Sequence, residues 1–218
     1  MKKSFLVIGA GRFGKSVALT IGEAGHDVLV VDKDEALIQD ISSEVTEAVA
    51  TDATSDKCIS AIGVSDFDAV VLSIGFDVQA SIMAAILLIE KEAKYIVAKA
   101  QTDLHGRVLE KIGVNRVVYP ERDMGHKIAR SLIAPTIIDM IELSDDYSVV
   151  EVTAPDEMIG KSLLELDLRA RYGISVIALR RENGGKINLS PMADDLVQKN
   201  DIIVAIGDNK YLHKLGWL

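Results

Sequence analysis

Cysteine, proline and long apolar runs are scarce in this 218-residue sequence. Its single cysteine, Cys58, excludes an internal disulfide and a cysteine-based zinc site, which suits a reducing compartment. The longest apolar run, at 82–89, has eight residues, whereas a helix needs about 20 to span a bilayer. With 49% hydrophobic and 26% charged residues, the composition is typical of a globular protein. We therefore expect a soluble, cytoplasmic chain.

Positive charge is also in short supply. The formal net charge is -9 at pH 7, and no run of lysine or arginine is longer than two residues. Binding to a nucleic-acid backbone needs a cationic face, so DNA and RNA are not expected as partners. A redox-sensing transcription repressor would need a basic helix-turn-helix, and neither end of the chain offers one.

The first half of the sequence alternates short β-branched runs with longer helical patterns. Strands are predicted at 5–8, 28–31, 69–72, 95–97 and 116–119, with a further strand before Thr51. Helices are predicted at 12–24, 35–43, 56–62, 77–92 and 104–112. Gly25, Gly63 and Gly113 follow three of these helices, where a left-handed cap is easiest for glycine. The alternation predicts an α/β fold with a Rossmann-like parallel sheet.

The second half has a different pattern. Residues 121–143 look helical but are interrupted by Pro135, so we expect a crossover helix or linker at 135–143. Strands are predicted at 147–152, 174–179, 186–189 and 202–206, with a hairpin turn at 183–185. The sequence thus predicts a Rossmann-like nucleotide-binding domain at 1–134, the crossover segment at 135–143 and a small α+β domain at 144–218.

The predicted helix at 77–92 is apolar nearly all round its circumference through residues 82–89. A helix with one face in solvent should keep a polar stripe. The segment therefore either lies deep in the core or forms a subunit interface. We favour the interface, because the outer helices of such sheets normally keep one solvated face.

A glycine motif follows the first predicted strand and opens the first helix. Residues 9–14 read Gly-Ala-Gly-Arg-Phe-Gly, a G-x-G-x-x-G pattern that permits a tight turn, close approach of a pyrophosphate and close packing of helix on strand. The second strand ends in Asp32, whose carboxylate can accept hydrogen bonds from both ribose hydroxyls and would repel a 2′-phosphate. The pattern predicts a nucleotide site and disfavours NADP.

Further candidates lie at the carboxyl ends of the predicted strands, where open α/β sheets bind ligands. Arg12 occupies a variable position of the glycine motif; its long cation could reach a terminal phosphate, or it could be a solvated residue at the helix start. The residues predicted to bind the nucleotide are Gly9, Gly11, Arg12, Phe13, Gly14, Asp32, Lys33, Asp52, Ala53, Thr54, Gly75 and Lys99.

The whole chain resembles the RCK family (regulators of potassium conductance), especially its Ktr and TrkA potassium-uptake regulatory subunits. The matching residues are the glycine motif at 7–14, Asp32, Asp52-Ala53-Thr54, Val97-Ala98-Lys99-Ala100-Gln101, Pro120-Glu121-Arg122-Asp123-Met124 and, for the C-terminal module, residues 166–174. Matches at both ends, in the family's order, make the resemblance more specific than the glycine motif alone.

This resemblance implies a homo-octameric ring of dimers, peripheral on the inner face of the membrane and docked on a potassium-translocating membrane subunit. ATP, ADP or NAD(H) would bind the N-terminal domain. In that family, an arginine matching Arg12 approaches the γ-phosphate. A glutamate matching Glu121 lies near the nucleotide and can assist a divalent cation, Mg²⁺ or Ca²⁺, which adds Glu121 to the predicted site.

The resemblance also implies a second ligand site. The C-terminal module of many relatives binds cyclic di-AMP between two subunits, and the matching lining residues would be Arg169, Ala170, Ile174 and Pro191. Two departures from the family pattern stand out. Many relatives have glycine where this chain has Thr51, and Glu-Asn where it has Phe76-Asp77. Either departure could change which adenine nucleotide is preferred.

The main alternative function is that of an NAD-dependent oxidoreductase. Such an enzyme needs a positioned acid or base beside the nicotinamide, together with a substrate domain. The four histidines, His26, His105, His126 and His213, are scattered and form no recognisable catalytic pattern. We therefore expect no catalytic residues, and a regulatory subunit rather than an enzyme.

Overall fold

The computed structural model describes residues 1–133, 136–181 and 187–218, which divide into two compact units, Met1–Arg122 and Asp123–Leu218. The N-terminal unit contains strands β1 (Ser4–Ile8), β2 (Asp27–Asp32), β3 (Glu47–Ala50), β4 (Ala69–Leu72), β5 (Ile96–Lys99) and β6 (Arg116–Val118). Its helices are α1 (Arg12–Glu23), α2 (Glu35–Ile41), α3 (Asp56–Ile62), α4 (Val78–Glu90) and α5 (Asp103–Ile112). Helix α6 (Pro120–Ile133) begins in this unit and continues into the second.

The N-terminal sheet has six parallel strands in the order β3-β2-β1-β4-β5-β6. Leu6 and Ile8 of β1 belong to one buried cluster and Val7 to another, because successive side chains of a strand point to opposite faces of the sheet. All three are at most 1% exposed, as expected for a strand covered on both faces. The winding reverses between β1 and β4, which confirms the predicted Rossmann-like fold.

The helix ends follow the predicted capping chemistry. Gly63 and Gly113 end α3 and α5 in the left-handed conformation, with φ of 69° and 112°. Thr102 starts α5 by accepting the His105 backbone N–H on its hydroxyl, and Asp77 starts α4 by accepting the Ala80 N–H. These caps set where the turns at the carboxyl edge of the sheet begin and end.

Helix α4 contributes to the core and also exposes apolar side chains. Ala84, Ala85 and Leu88 are fully buried, whereas Met83 is 44% exposed and Phe76, just before the helix, is 97% exposed. The alternative of a place in the core therefore holds for part of this helix, and its role as a subunit interface stays a prediction. Within the described ranges, no helix combines the length and apolar composition that crossing a membrane requires.

The C-terminal unit is built on an antiparallel sheet in the order β10-β9-β11-β8-β7. Its strands are β7 (Ile137–Glu142), β8 (Tyr147–Thr153), β9 (Ser175–Arg180), β10 (Ile187–Asn188) and β11 (Ile202–Asp208). Its helices are α7 (Leu163–Leu166), α8 (Leu168–Tyr172) and α9 (Asn209–Lys214). The core surrounds Trp217, Leu179 and Ile203, each at most 1% exposed. The predicted α+β character of this unit is confirmed.

The prediction of a crossover helix or linker at 135–143 was wrong for the residues that can be compared, because most of them form a strand. Helix α6 ends at Ile133, and Ile137–Glu142 forms β7, which pairs antiparallel with β8. Pro135 disfavours a continuous helix, and the isoleucine-rich stretch gains a hydrogen-bonded partner strand. The predicted boundary at 134/135 and the predicted turn at 183–185 lie outside the described residues, although the flanking β9 and β10 do pair antiparallel.

Candidate nucleotide-binding site

The glycine turn after β1 lies where β1 and β4 meet. Gly9 has a φ of 100°, and a Cβ placed there would lie 2.9 Å from the carbonyl carbon of Ser73, which follows β4. A Cβ on Gly14 would lie 1.8 Å from the Gly9 carbonyl oxygen. Both positions therefore exclude a side chain, for the reasons predicted from the motif: a tight turn and close packing of α1 on the sheet.

Gly11 has a different environment. No atom lies within 4 Å of where its Cβ would be, and its φ of -63° is open to any residue. It is the N-cap residue of α1, and within this fully described helix no acidic residue occupies the first turn. The N–H groups that start α1 thus have no side-chain cap from Gly11, and the Cβ position of Gly11 lies in open space. Such a helix start is suited to an anionic ligand.

Asp32 ties the glycine turn to the end of β2. One carboxylate oxygen accepts the Ala10 backbone N–H at 2.7 Å, and the other accepts the Asp34 N–H at 2.9 Å. The backbone N–H of Thr51 donates to the Asp32 carbonyl at 2.8 Å, so the loop after β3 is held at the same place. The carboxylate keeps further lone pairs, which the predicted ribose contacts would use.

The loop after β3 forms the second part of the site. Asp52 accepts the backbone N–H and the hydroxyl of Thr54 at 2.9 and 2.7 Å. These two bonds, with a smaller contribution from the charge of Lys33, lower the pKa of Asp52. Ala53 between them is buried. The structure therefore brings Lys33, Asp52 and Thr54 together beside the end of β2.

The third part of the site lies at the ends of β4 and β5. The Lys99 ammonium is 2.5 Å from a carboxylate oxygen of Glu121, 6.0 Å from the centre of the Phe13 ring and 3.5 Å from where a Gly75 Cβ would lie. Hydrogen bonding from Lys99 lowers the pKa of Glu121, and the positive charge of Arg12 adds to the effect. The predicted residues of this edge thus form one cluster.

Two residues missing from the predicted site support this cluster. The Gln101 side-chain nitrogen lies 3.8 Å from the Gly75 Cβ position, beside Lys99. His105 is 2% exposed, and its Nδ1 accepts the Gln101 backbone N–H at 3.4 Å. Gln101 could have been predicted, because it comes two residues after Lys99 at a strand's carboxyl end. The burial of His105 depends on tertiary packing and has no signal in the sequence.

The two departures from the family pattern have clear positions. The Thr51 hydroxyl is 3.0 Å from the Cys58 sulfur, so it contacts α3. Asp77 is occupied as the N-cap residue of α4, which leaves Phe76 as the exposed side chain at the mouth of the cluster. The preceding Gly75 borders Lys99. Of the two departures, Phe76 is therefore the one that presents an exposed side chain, directly after Gly75.

The predicted involvement of a metal ion stays a prediction. Throughout the described parts of the chain, no three or more His, Cys, Asp or Glu side chains are grouped so that they could hold a metal ion. The carboxylate of Glu121, the one residue predicted to assist a divalent cation, is paired with the Lys99 ammonium in this structure.

The four residues predicted to line a cyclic di-AMP site do not share one environment. Arg169 and Ala170 are exposed on α8, and Pro191 is half-buried in the loop after β10. Ile174 is 0% exposed and packs against β11, where a Cβ on Gly207 would lie 2.7 Å from its Cγ1. The structure thus places the Ile174 side chain in the core rather than at a surface site. The prediction is corrected for that side chain and stays a prediction for the other three residues.

Comparison with known proteins agrees with this architecture. The TrkA-N domain model matches residues 5–120, and the TrkA-C domain model matches residues 148–216. The chain is 39% identical over 207 residues to the Ktr system potassium uptake protein C of Bacillus subtilis (strain 168), covering 95% of this chain and 93% of that protein. It is 40% identical to the Ktr system potassium uptake protein A of the same organism, with 95% and 93% covered.

A solved structure shows the same fold. The GsuK channel bound to NAD aligns with all of this chain and 39% of its own, with a TM-score of 0.70 and 17% identity. At that identity the likeness concerns the fold alone. Taken with the two domain models in their order, and with relatives near 40% identical over nearly the whole length, the comparison confirms the resemblance: this chain belongs to the RCK family, as a Ktr/TrkA-type protein with TrkA-N and TrkA-C domains.

Proposed function

We propose that this chain is a regulatory subunit of a membrane potassium-uptake system and that it responds to an adenine nucleotide, ATP, ADP or NAD(H), bound in its N-terminal unit. The observation that carries the proposal is the identity of about 40% with two Ktr potassium uptake proteins across 95% of the chain. The open helix start at Gly11, with Asp32 and the Lys99 cluster around it, supplies the chemistry of a nucleotide site.

The proposed nucleotide would be held from three sides. The glycine turn and the start of α1 would meet the phosphates with backbone N–H groups. Asp32 would accept hydrogen bonds from the ribose, and the Asp52–Thr54 loop would border the base. Arg12 and Lys99 would supply positive charge toward the terminal phosphates. These roles are inferred from position and chemistry, and the fold likeness to a channel bound to NAD agrees with them.

A regulatory role is favoured over the oxidoreductase alternative. His105 is buried beneath the Gln101 turn, so its imidazole serves the fold rather than an open catalytic surface. Two relatives that match 95% of the chain are named as potassium uptake proteins. An oxidoreductase would turn over NADH with some small carbonyl compound, and the proposal expects saturable nucleotide binding without such turnover.

The partner would be a potassium-translocating membrane subunit, and the chain would lie on its cytoplasmic side. Assembly as a homo-octameric ring of dimers, a divalent cation near Glu121 and cyclic di-AMP in the C-terminal unit belong to the same proposal. ATP and ADP would favour different subunit arrangements. A ligand can shift that equilibrium only by its difference in affinity for the two states.

The direct test combines binding and transport. Calorimetric titration of the purified chain with ATP, ADP and NADH should give saturable binding of at least one, and mass measurement should show an assembly. Co-expression with a Ktr-type membrane subunit in cells that lack potassium uptake should restore growth at low potassium. A strictly monomeric chain that binds none of the three nucleotides would contradict the proposal.

Arg12 provides the sharper prediction. Its replacement by alanine should narrow the ratio of ATP to ADP affinity while changing ADP affinity by less than about twofold, because only ATP offers a γ-phosphate to the guanidinium. Lys15 is the matched control on the same helix, since its ammonium is 2.6 Å from Asp40. Lys15→Ala should leave the ratio unchanged. Equal loss of both nucleotides in Arg12→Ala would refute the assigned role.

A further inference from the structure

The first turn of α6 is attached to the rest of the N-terminal unit by two ion pairs. Glu121 pairs with Lys99 at the end of β5, at 2.5 Å. The next residue, Arg122, pairs with Asp103 at the start of α5, at 2.8 Å, and its guanidinium lies 3.8 Å from the centre of the Tyr119 ring. The two pairs differ in location, because only the first belongs to the predicted nucleotide cluster.

The two members of the first pair differ strongly in exposure. The Lys99 side chain is 13% exposed, whereas that of Glu121 is 66% exposed. A largely buried ammonium needs a counter-ion, since an unpaired charge away from water is costly. Glu121 supplies that counter-ion from the solvent side. A carboxylate so exposed gains little from the pair and can be displaced by a stronger anion.

The position of Lys99 makes a phosphate the natural competitor. Its ammonium borders Gly75 and the Phe13 ring, and Phe13 lies two residues beyond the open Gly11 at the start of α1. The charge of Arg12 also acts on Glu121. A phosphate chain held at the α1 start would therefore bring several negative charges to Lys99, which Glu121 now pairs with, and to Arg12.

We propose that Glu121 competes with the phosphates of the nucleotide for Lys99: a bound phosphate takes over Lys99, releases Glu121 and so removes one of the two ion pairs that hold the first turn of α6. The inference rests on the proposed nucleotide site. The Arg122–Asp103 pair is the ligand-independent attachment, because it lies outside the phosphate cluster. Each added phosphate on the ligand strengthens its competition with Glu121 for Lys99. The charge of the ligand would thereby affect how firmly α6, the helix that leads into the C-terminal unit, is held at its first turn.

The competition predicts that the loss of a charged side chain from the site raises the affinity for ATP. Removing the negative charge in Glu121→Gln should tighten ATP binding in EDTA by roughly three- to tenfold, because ATP no longer displaces an anion. The effect should fall with ligand charge, from ATP through ADP to AMP, for which we expect less than about a twofold change. Asp103→Asn is the matched control, since it breaks the other ion pair of the same turn and should leave all three affinities unchanged.

A second readout follows the helix itself. The amides of residues 124–127 donate to the carbonyls of residues 120–123 in α6, so their hydrogen exchange reports the first turn. ATP should speed their exchange in the wild-type chain and in Asp103→Asn. In Glu121→Gln their exchange should already be fast without ATP and should change little on its addition.

The outcomes separate the two levels of inference. One outcome is that the wild-type chain binds ATP but Glu121→Gln binds it equally or more weakly in EDTA. Glu121 is then not a competitor and the proposed competition at Lys99 is wrong, while the nucleotide site stands. Equal tightening in Asp103→Asn would also overturn the proposed competition, since general loosening of α6 would then explain the result. If the wild-type chain binds none of ATP, ADP and NADH, the proposed function itself falls, and the competition at Lys99 falls with it.

Discussion

The two units differ in how their predicted ligand residues are arranged. In the N-terminal unit these residues converge at one edge of a parallel sheet, with Asp32 bonded to the glycine turn and Lys99 paired with Glu121. In the C-terminal unit, Arg169 lies on the surface of α8, whereas Ile174 lies in the core.

The difference follows from topology. All strands of a parallel doubly wound sheet end at the same edge, so the residues that follow the strands become neighbours whatever their separation in sequence. An antiparallel sheet sends its turns alternately to both edges and provides no such common position. A predicted site is therefore more secure in the first kind of sheet than in the second.

The largest effect should come from filling the helix–strand contact in the N-terminal unit. In Gly14→Ala the new Cβ would meet the Gly9 carbonyl oxygen at 1.8 Å, so backbone must move, and we expect a loss of about 3 kcal/mol or more in the free energy of unfolding. Urea unfolding followed by circular dichroism measures this loss. Trp217, the single tryptophan, lies in the core of the C-terminal unit, and the midpoint of its fluorescence change should shift less.

Gly11→Ala is the matched control for that contact. Its Cβ would enter open space at an ordinary φ, so the free energy of unfolding should change by less than about 1 kcal/mol. The same methyl group would fill the approach to the α1 start and should lower nucleotide affinity. Equal destabilisation by the two substitutions would show that the turn is not divided into a packing glycine and a binding glycine.

An intermediate effect should separate packing from binding in the C-terminal unit. Ile174→Ala removes a fully buried side chain and should cost about 2–4 kcal/mol of unfolding free energy, read from Trp217 fluorescence. Arg169→Ala should leave that free energy nearly unchanged and should weaken cyclic di-AMP by roughly tenfold, if the proposed second site exists. Unchanged cyclic di-AMP binding in Arg169→Ala would remove this arginine from the site.

The smallest effect should be a pH dependence of the stability of the N-terminal unit, which contains His105. Burial lowers the pKa of His105 below its ordinary value of about 6.5. Above about pH 6.5 the imidazole is neutral in both the folded and the unfolded chain, so its contribution to stability is fully present. As pH falls toward the lowered pKa, the unfolded chain takes up a proton that the folded chain refuses, and stability is lost.

His105→Gln should flatten this dependence. The measurement is the urea midpoint by circular dichroism from about pH 7.5 to about pH 5, compared between the wild-type chain and the variant. The other three histidines are present in both proteins, so their contributions cancel. Parallel curves for the two proteins would show that His105 is not responsible.

Much of the N-terminal unit could be predicted because local signals agree with its topology. Helix α3 and strand β4 lie at the predicted positions, and their flanking glycines and buried runs explain why. The stretch that became β7 could not be assigned, because a run of isoleucines fits a helix or a strand until its partner is known. The partner, β8, follows after a turn and decides the outcome through backbone hydrogen bonds.

The sequence predicted the members of the N-terminal cluster but not their present partners. Asp32 was assigned to the ribose, and the structure shows that it also accepts two backbone N–H groups. Glu121 was assigned to a cation, and the structure pairs it with Lys99. Residue identity indicates which chemistry a site can perform. The partners that the site residues have in the absence of a ligand depend on distances that only the folded chain defines.

The two hydrogen bonds that the Asp32 carboxylate accepts from the Ala10 and Asp34 amides have a thermodynamic consequence. The glycine turn and the end of β2 are already tied together by the Asp32 carboxylate, so an arriving nucleotide would not have to order that backbone. The entropy lost on binding would fall mainly on the ligand and on flexible side chains such as Arg12. Differences between nucleotides would then arise at the terminal phosphates, while the adenosine half contributes a nearly constant term.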